Sequence, residues 1–125
     1  MQQGDLVHAE LSHTIIGSAM GVLNELKPGL DEKAYENALA IELRYRGLQV
    51  EQQRRFEVRY RGELVDLLIP DLLINGLVLV DPKVVEEFNS THLAQMTGYL
   101  AVTKLRLALL LNFKHGDLRW KRVIR

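Results

Sequence analysis

Apolar residues recur along this chain with two different periods, and these periods predict its helices and strands. Apolar positions three and four residues apart predict three amphipathic helices, which cover residues 6–26, 30–46 and 90–104. Alternating or continuous apolar positions predict strands, which cover residues 50–60, 63–69, 105–113 and 118–124, together with a hairpin over residues 70–85. Mixed helices and strands in this order indicate a fold of the α/β (α+β) class.

The hairpin carries the most informative local pattern. Asn75-Gly76 joins two apolar runs, and Asn-Gly between β-forming residues is a strong hairpin signal. Three charged residues, Asp71, Asp81 and Lys83, lie in this otherwise apolar segment. Because burying an unpaired charge is costly, these side chains must be paired, bind something or lie at an opening. Two carboxylates and a lysine could hold a divalent metal and activate a water molecule.

The register of the hairpin decides whether these charges share a face. With a strict two-residue turn, Asp71 would pair with Val80, and Asp81 would point to the opposite face. With a three-residue loop over residues 74–76, Asp71 would pair with Leu79, and both carboxylates and the lysine would share one face. The functional interpretation predicts this bulged loop. The alternative is an ordinary strand pair with its charges at the ends of the sheet.

Glu32 is a candidate third carboxylate. It precedes Tyr35 by three residues and Leu39 by seven, so it falls on the apolar face of the second predicted helix. One interpretation is an anion in the first turn, where the helix dipole stabilises negative charge. The other is a carboxylate that reaches the hairpin site.

Length and composition limit the classes of protein to consider. The chain has 125 residues, of which 47% are hydrophobic, so we expect a single domain over residues 1–125 with a substantial core. Cysteine is absent, which excludes disulfides and thiolate chemistry. No apolar run approaches the roughly 20 residues that span a bilayer, and the first residues lack the pattern of a signal peptide. We therefore expect no membrane association and a cytoplasmic location.

Charge gives no overall preference for nucleic acid, because 16 Lys and Arg residues balance 16 Asp and Glu residues. Any nucleic-acid contact would need a local basic surface. The densest basic cluster comprises Arg54, Arg55, Arg59 and Arg61. It is either a solvated face with neighbouring glutamates as partners or a surface that contacts phosphate.

Four short motifs occur in an order that resembles one known group of proteins. They are Gly29-x-x-Glu32-x-x-Tyr35, Pro70-Asp71 followed after nine residues by Asp81-Pro82-Lys83, Gln95-x-x-x-Tyr99, and Leu111-Asn112-Phe113. Together they resemble the GxxExxY family of small bacterial proteins in the PD-(D/E)XK nuclease superfamily. The resemblance implies a restriction-endonuclease-like α-β-β-β-α-β core. This core has a mixed central sheet flanked by helices, with an extra N-terminal helix and C-terminal strand.

The same resemblance implies a metal-dependent nuclease that acts on DNA. Asp71, Asp81 and Glu32 would ligate Mg²⁺ or Mn²⁺. Lys83 would orient the attacking water and stabilise the charge that develops on phosphate. The further residues expected near this site are Gln95, Tyr99 and Tyr35.

A second function stays open beside the nuclease. The fold could be catalytically degenerate and serve as a homodimeric module or as one that binds nucleic acid or protein. Three features favour this alternative: zero net charge, Asp81 where the family usually has Glu, and Pro82 in the middle of the motif. Proline cannot donate a hydrogen bond to a strand ladder, so Pro82 predicts an edge or a bulge.

Overall fold

The structure of this protein is a computed structural model that describes residues 6–125. Its helices are α1 (Ala9–Leu26), α2 (Glu32–Tyr45) and α3 (Ser90–Thr103). Its strands are β1 (Val50–Gln52), β2 (Phe56–Tyr60), β3 (Glu63–Leu68), β4 (Leu72–Ile74), β5 (Val78–Lys83), β6 (Leu107–Asn112) and β7 (Arg119–Ile124). Within residues 6–125, no helix is long and apolar enough to cross a bilayer.

Five of the strands form one mixed sheet in the order β1-β4-β5-β6-β7. β5 and β6 are parallel, and the other neighbouring strands are antiparallel. The parallel pair is connected through α3, as parallel neighbours require a crossover connection. β2 and β3 form a separate two-stranded antiparallel ribbon. The predicted α+β class, with a mixed central sheet flanked by helices, is confirmed.

Each face of the sheet packs against different helices. Leu72 and Ile74 belong to the hydrophobic cluster that contains the buried residues of α1 and α2. Leu73 and Leu79 belong to the second cluster, with Met96 of α3. Successive side chains on a strand point to opposite faces, so the residues that continue the Leu73 and Leu79 rows point to the α3 side. Asp71, Asp81 and Lys83 all continue these rows.

The predicted strand over residues 50–60 is wrong as one element, because the chain leaves the main sheet after Gln52. β1 pairs with β4, whereas β2 pairs with β3. The break is at Gln53, whose φ of 58° is left-handed and incompatible with a continuous strand. The Gln53 N–H donates to the Asp71 carbonyl at 3.0 Å, so a contact distant in sequence fixes the break.

The hairpin loop contains three residues, as predicted, but it covers Asn75–Leu77 and not residues 74–76. Leu72 pairs with Val80 and Ile74 pairs with Val78. The predicted pairing of Asp71 with Leu79 is therefore wrong, since Leu79 pairs with Leu73. Asp71 is two residues from Leu73, and Asp81 is two residues from Leu79, so the expected shared face persists with a different register.

Asn75 explains the position of this loop. Asn75 and Gly76 have φ values of 53° and 65°, the left-handed pair that a type I′ turn requires. The side-chain oxygen of Asn75 accepts from the N–H of Gln49 at 2.8 Å, and the Asn75 N–H donates to the Gln49 carbonyl at 2.9 Å. The loop is thus fixed to the start of β1 as well as by its own turn.

Candidate active site

A cavity of about 220 Å³ opens beside β5 and α3. Six of the seven side chains predicted for the site line this cavity, namely Glu32, Asp71, Asp81, Lys83, Gln95 and Tyr99. Apolar side chains that the sequence analysis did not assign to a site complete the wall, among them Ile69, Leu79 and Met96. The cavity therefore has a charged floor from the hairpin and an apolar border.

Asp71 and Asp81 are two carboxylates of this cavity that interact with each other. Asp81 is buried, with 7% of its surface exposed, and Asp71 is half-buried. Burial is the largest cause that raises the pKa of Asp71 to about 7, and the hydrogen bond and negative charge of Asp81 contribute to the rise. The charge of Glu36 adds to this effect, whereas a hydrogen bond from Gln53 opposes it. The pair is thus an anionic site whose two charges repel each other.

Lys83 brings a positive charge to the same pair. Its Nζ lies 3.1 Å from Oδ2 of Asp81, and the two side chains are 16% and 11% exposed. The two residues are separated by one position on β5, so their side chains leave the strand on the same face. Their ion pair leaves the lysine at the cavity wall, where it can contact a bound molecule.

Glu32, the first residue of α2, is held at the rim of the cavity. Its Oε2 accepts from the N–H of Val84 at 3.2 Å, just after the end of β5. Among residues 6–125, no three His, Asp or Glu side chains form a group that could hold a metal ion. Glu32 thus lines the same cavity as Asp71 and Asp81 without forming such a group with them, and its carboxylate is bonded to the backbone of Val84.

Gln95 and Tyr99 form the opposite wall of the cavity. They are four residues apart on α3, and the Gln95 Nε2 donates to the Tyr99 hydroxyl at 3.3 Å. Burial raises the pKa of the Tyr99 hydroxyl, and the charges of Asp81 and Asp71 contribute. The phenol is thus an uncharged hydrogen-bonding group that faces the carboxylate pair.

Tyr35 lies in the core and not in the cavity, contrary to its expected place near the site. It is fully buried and stacks on Phe113 with ring centroids 4.7 Å apart. Its hydroxyl donates to the Lys27 carbonyl at 2.6 Å and accepts from the Leu30 N–H at 3.1 Å. Tyr35 therefore fixes the connection between α1 and α2.

Glu36 and Gln53 are functional candidates that the sequence analysis missed. Glu36 is 4% exposed, and its Oε2 accepts from Lys33, Gln52 and Gln53 at 3.2, 2.9 and 3.1 Å. Gln53 also donates from Nε2 to Oδ1 of Asp71 at 3.3 Å. The sequence did contain a signal for Glu36. This residue lies four positions after Glu32, on the face of α2 that carries the buried residues.

Two of the four arginines in the basic cluster are paired with glutamates. Arg54 contacts Glu51 at 3.2 Å, and Arg59 contacts Glu57 at 2.8 Å. All four side chains are about half exposed, which is typical of a solvated face. These contacts favour the solvated interpretation for Arg54 and Arg59.

Comparison with known proteins places this architecture in a family. A family model described as the PD-(D/E)XK nuclease superfamily matches residues 9–123. A similar solved structure is an alkaline exonuclease from Laribacter hongkongensis, with a TM-score of 0.49 and 12% identity over 86% of this chain and 76% of that chain. The search of curated proteins found no match. The narrower GxxExxY resemblance stays a prediction. Because the family model matches nearly the whole chain, this protein belongs to the PD-(D/E)XK nuclease superfamily.

Proposed function

We propose that this protein hydrolyses phosphodiester bonds in DNA with the help of Mg²⁺ or Mn²⁺. One observation carries the proposal: Asp71, Asp81 and Lys83 converge in one open cavity. Two carboxylates can hold a metal ion that activates water, and an ammonium group can stabilise the charge that develops on phosphate. Membership of a nuclease superfamily supports the reaction class, and DNA as the substrate is part of the proposal.

The residues fit a hard divalent cation. The donor atoms that Asp71 and Asp81 offer are oxygens, which Mg²⁺ and Mn²⁺ prefer. The raised pKa of Asp71, about 7, reflects the cost of burying a second carboxylate beside Asp81. A bound cation would remove that cost by neutralising both groups. When bound, the ion supplies positive charge against the phosphate and makes water easier to deprotonate.

The side chains around the pair have separate roles in this proposal. Asp71 and Asp81 hold the ion. Lys83 orients the attacking water and stabilises the negative charge that develops on the phosphate oxygens. Glu32 contributes negative charge at the rim and keeps the segment after β5 in place through Val84.

Calorimetric titration of Mn²⁺, combined with a plasmid-nicking assay, tests the proposal. Asp71→Asn removes one ligand charge and should weaken Mn²⁺ binding by about tenfold or more. Lys83→Ala should bind Mn²⁺ at least as well as the wild type but nick plasmid about a hundredfold more slowly. Lys114→Ala is the matched control, because Lys114 forms an exposed ion pair with Glu86 at 3.5 Å and lies outside the cavity lining.

The results separate the roles. Loss of metal binding in Asp71→Asn, with loss of nicking alone in Lys83→Ala, would support both assignments. If the wild type binds no Mn²⁺ at millimolar concentration and leaves plasmid intact, the proposal is wrong. If Lys114→Ala and Lys83→Ala lose nicking equally, the effect is one of general charge and the role given to Lys83 is wrong.

The second candidate function is a catalytically inactive module that binds a partner or a second copy of the chain. Exposed apolar side chains on the β2–β3 ribbon favour it. Leu64 and Val65 are 54% and 61% exposed, and Ile69 is exposed beside the cavity. Apolar surface of this kind often marks an interface. Self-association in light scattering, together with absent Mn²⁺ binding, would favour this candidate over the nuclease.

A further inference from the structure

We propose that Gln53 is a positioning residue that fixes the carboxylate of Asp71 for metal binding, and that Glu36 anchors Gln53. This inference rests on the proposed metal-dependent function. Neither residue lines the cavity, and neither belongs to the four sequence motifs that resemble the nuclease family. Their link to the site comes from a chain of hydrogen bonds that connects α2, the β1–β2 connection and Asp71.

Gln53 contacts Asp71 through both its backbone and its side chain. The Gln53 N–H donates to the Asp71 carbonyl at 3.0 Å, which fixes the backbone of Asp71 just before β4. The Gln53 Nε2 donates to Asp71 Oδ1 at 3.3 Å, which directs the carboxylate itself. One residue thus controls both the place and the direction of the proposed metal ligand.

The opposite side of the Gln53 amide is held by Glu36. The same Nε2 donates to Glu36 Oε2 at 3.1 Å, so its two hydrogens serve two carboxylates. Glu36 is nearly inaccessible to solvent, and Lys33 and Gln52 also donate to its Oε2. Because Glu36 is fixed by several partners, it gives the exposed Gln53 side chain a rigid attachment.

The backbone of Gln53 adopts a conformation that an L-residue rarely takes. Its φ is 58°, in the left-handed region where a Cβ atom is crowded. Glycine would adopt this conformation without strain, and glutamine gains nothing local from it. The hydrogen bonds with Asp71 and Glu36 offset the cost of this backbone conformation. Residues held in such conformations cluster at functional sites.

An amide suits this position better than a cation. Lysine or arginine beside Asp71 would neutralise the carboxylate and compete with a divalent ion for it. The Gln53 amide is a neutral donor, so it directs one oxygen of Asp71 without cancelling the negative charge. Outer-shell partners that orient metal-ligating side chains commonly change metal affinity by about 10- to 100-fold when they are removed.

The chain offers a matched control for Gln53. Gln52 is the preceding residue, and its Nε2 also donates to Glu36 Oε2, at 2.9 Å, but its other partner is Asn37 and not Asp71. Gln53→Met and Gln52→Met remove the same amide from the same glutamate, yet only the first variant releases Asp71. Gln53→Gly is the second variant, because glycine tolerates the left-handed backbone even if methionine there prevents folding.

The test measures Mn²⁺ affinity by calorimetry and compares metal-free crystal structures of the three variants. We expect Gln53→Met and Gln53→Gly to weaken Mn²⁺ binding by about tenfold or more, and Gln52→Met to change it less than about twofold. In the metal-free crystals, the Asp71 carboxylate should leave its wild-type position only in the Gln53 variants.

Each outcome decides the inference. Equal Mn²⁺ affinity in wild type and both Gln53 variants, or an equal loss in Gln52→Met, would overturn it. If the wild type itself binds no Mn²⁺, the proposed function fails, and the crystals still decide the positioning role. In that case, a displacement of the Asp71 carboxylate that occurs only in the Gln53 variants supports the positioning role of Gln53. An Asp71 carboxylate that stays in place in these variants overturns that role.

Discussion

Asp71 and Asp81 are the residues that come directly after the last ladder pair of the hairpin, Leu72 with Val80, and both line the cavity. The strand period then places Lys83 on the same face, with its Nζ 3.1 Å from Asp81 Oδ2. A register shifted by one residue would send one carboxylate to the α1 and α2 side of the sheet. The register of a single hairpin therefore assembles the proposed site.

The first prediction concerns the pH dependence of stability without metal. The folded state raises the pKa of Asp71 from 3.8 to about 7, mainly through burial, so it binds this proton more tightly than the unfolded chain does. The resulting stabilisation is complete below pH 3.8 and is lost as the pH rises to about 7. In EDTA, the free energy of unfolding of the wild type should therefore contain a contribution that falls across this window.

Asp71→Asn has no carboxyl proton to lose, so its stability should fall less over the same range. We expect the two proteins to differ by about 1 kcal/mol in the change of unfolding free energy between about pH 4.5 and about pH 8, after allowing for the partial exposure of Asp71. Urea denaturation at both pH values measures this. Asp117→Asn, at an exposed carboxylate outside the cavity lining, is the control and should behave like the wild type. Parallel pH profiles for wild type and Asp71→Asn would contradict the prediction.

The second prediction concerns Glu32, which the family resemblance placed among the metal ligands. Its carboxylate is held by the Val84 N–H, and it does not form a three-carboxylate group with Asp71 and Asp81. Glu32→Gln should therefore lower Mn²⁺ affinity by less than about threefold, whereas Asp71→Asn should lower it by about tenfold or more. Calorimetry on both variants makes the comparison. An equal loss in both would return Glu32 to the ligand set.

The parts of this site that follow local chemistry could be predicted from the sequence. Asn75-Gly76 predicted the hairpin, and the spacing of Asp81 and Lys83 predicted their common face. The loop was predicted one residue too early, which shifts the predicted register by two residues, because the position of the loop depends on a contact distant in sequence. The Asn75 side chain bonds to Gln49, and no local pattern reveals that bond.

The break after β1 could not be predicted for a related reason. The polar and apolar alternation continues past Gln53, so the pattern is that of one strand. The residue that ends the strand is an ordinary glutamine whose left-handed backbone is stabilised by Asp71 and Glu36. Residues of this kind, at which the local signal fails, are expected to be strained or functional.

The third prediction separates the structural role of Tyr35 from the site. Tyr35→Phe keeps the ring that stacks on Phe113 but removes the hydroxyl that bonds to Lys27 and Leu30. Because two backbone groups lose their partner, we expect a loss of about 1–2 kcal/mol in the free energy of unfolding. Urea denaturation measures the loss. Tyr45→Phe, at a residue 87% exposed, should cost almost nothing.

Metal binding gives the complementary measurement for the same variant. Tyr35 lies outside the cavity lining, so Mn²⁺ affinity of Tyr35→Phe should stay within about twofold of the wild type at a temperature where both are folded. A selective loss of Mn²⁺ affinity with unchanged stability would place the hydroxyl of Tyr35 in the site after all.

The fourth prediction concerns the segment that follows Lys83. Asn112 is buried, and its Nδ2 donates to the Val85 carbonyl at 2.7 Å. Its Oδ1 accepts from the Val85 N–H at 3.2 Å and from the Lys114 N–H at 3.1 Å. Asn112→Asp preserves the shape and the accepting oxygen, but an ionised carboxylate cannot donate to Val85. We expect the variant to lose about 2–3 kcal/mol of unfolding free energy near pH 7.

Acidification should restore part of that loss. In Asn112→Asp, protonation of the introduced carboxyl group regains a donor for the Val85 carbonyl, so the stability deficit relative to the wild type should shrink as the pH falls. Asn37→Asp is the matched control, because the exposed Asn37 side chain accepts from Gln52, and an aspartate can accept equally well. Urea denaturation of both variants at about pH 5 and about pH 8 measures the difference. A deficit in Asn112→Asp that does not change with pH would show that the donor of Asn112 is not what holds this segment beside the site.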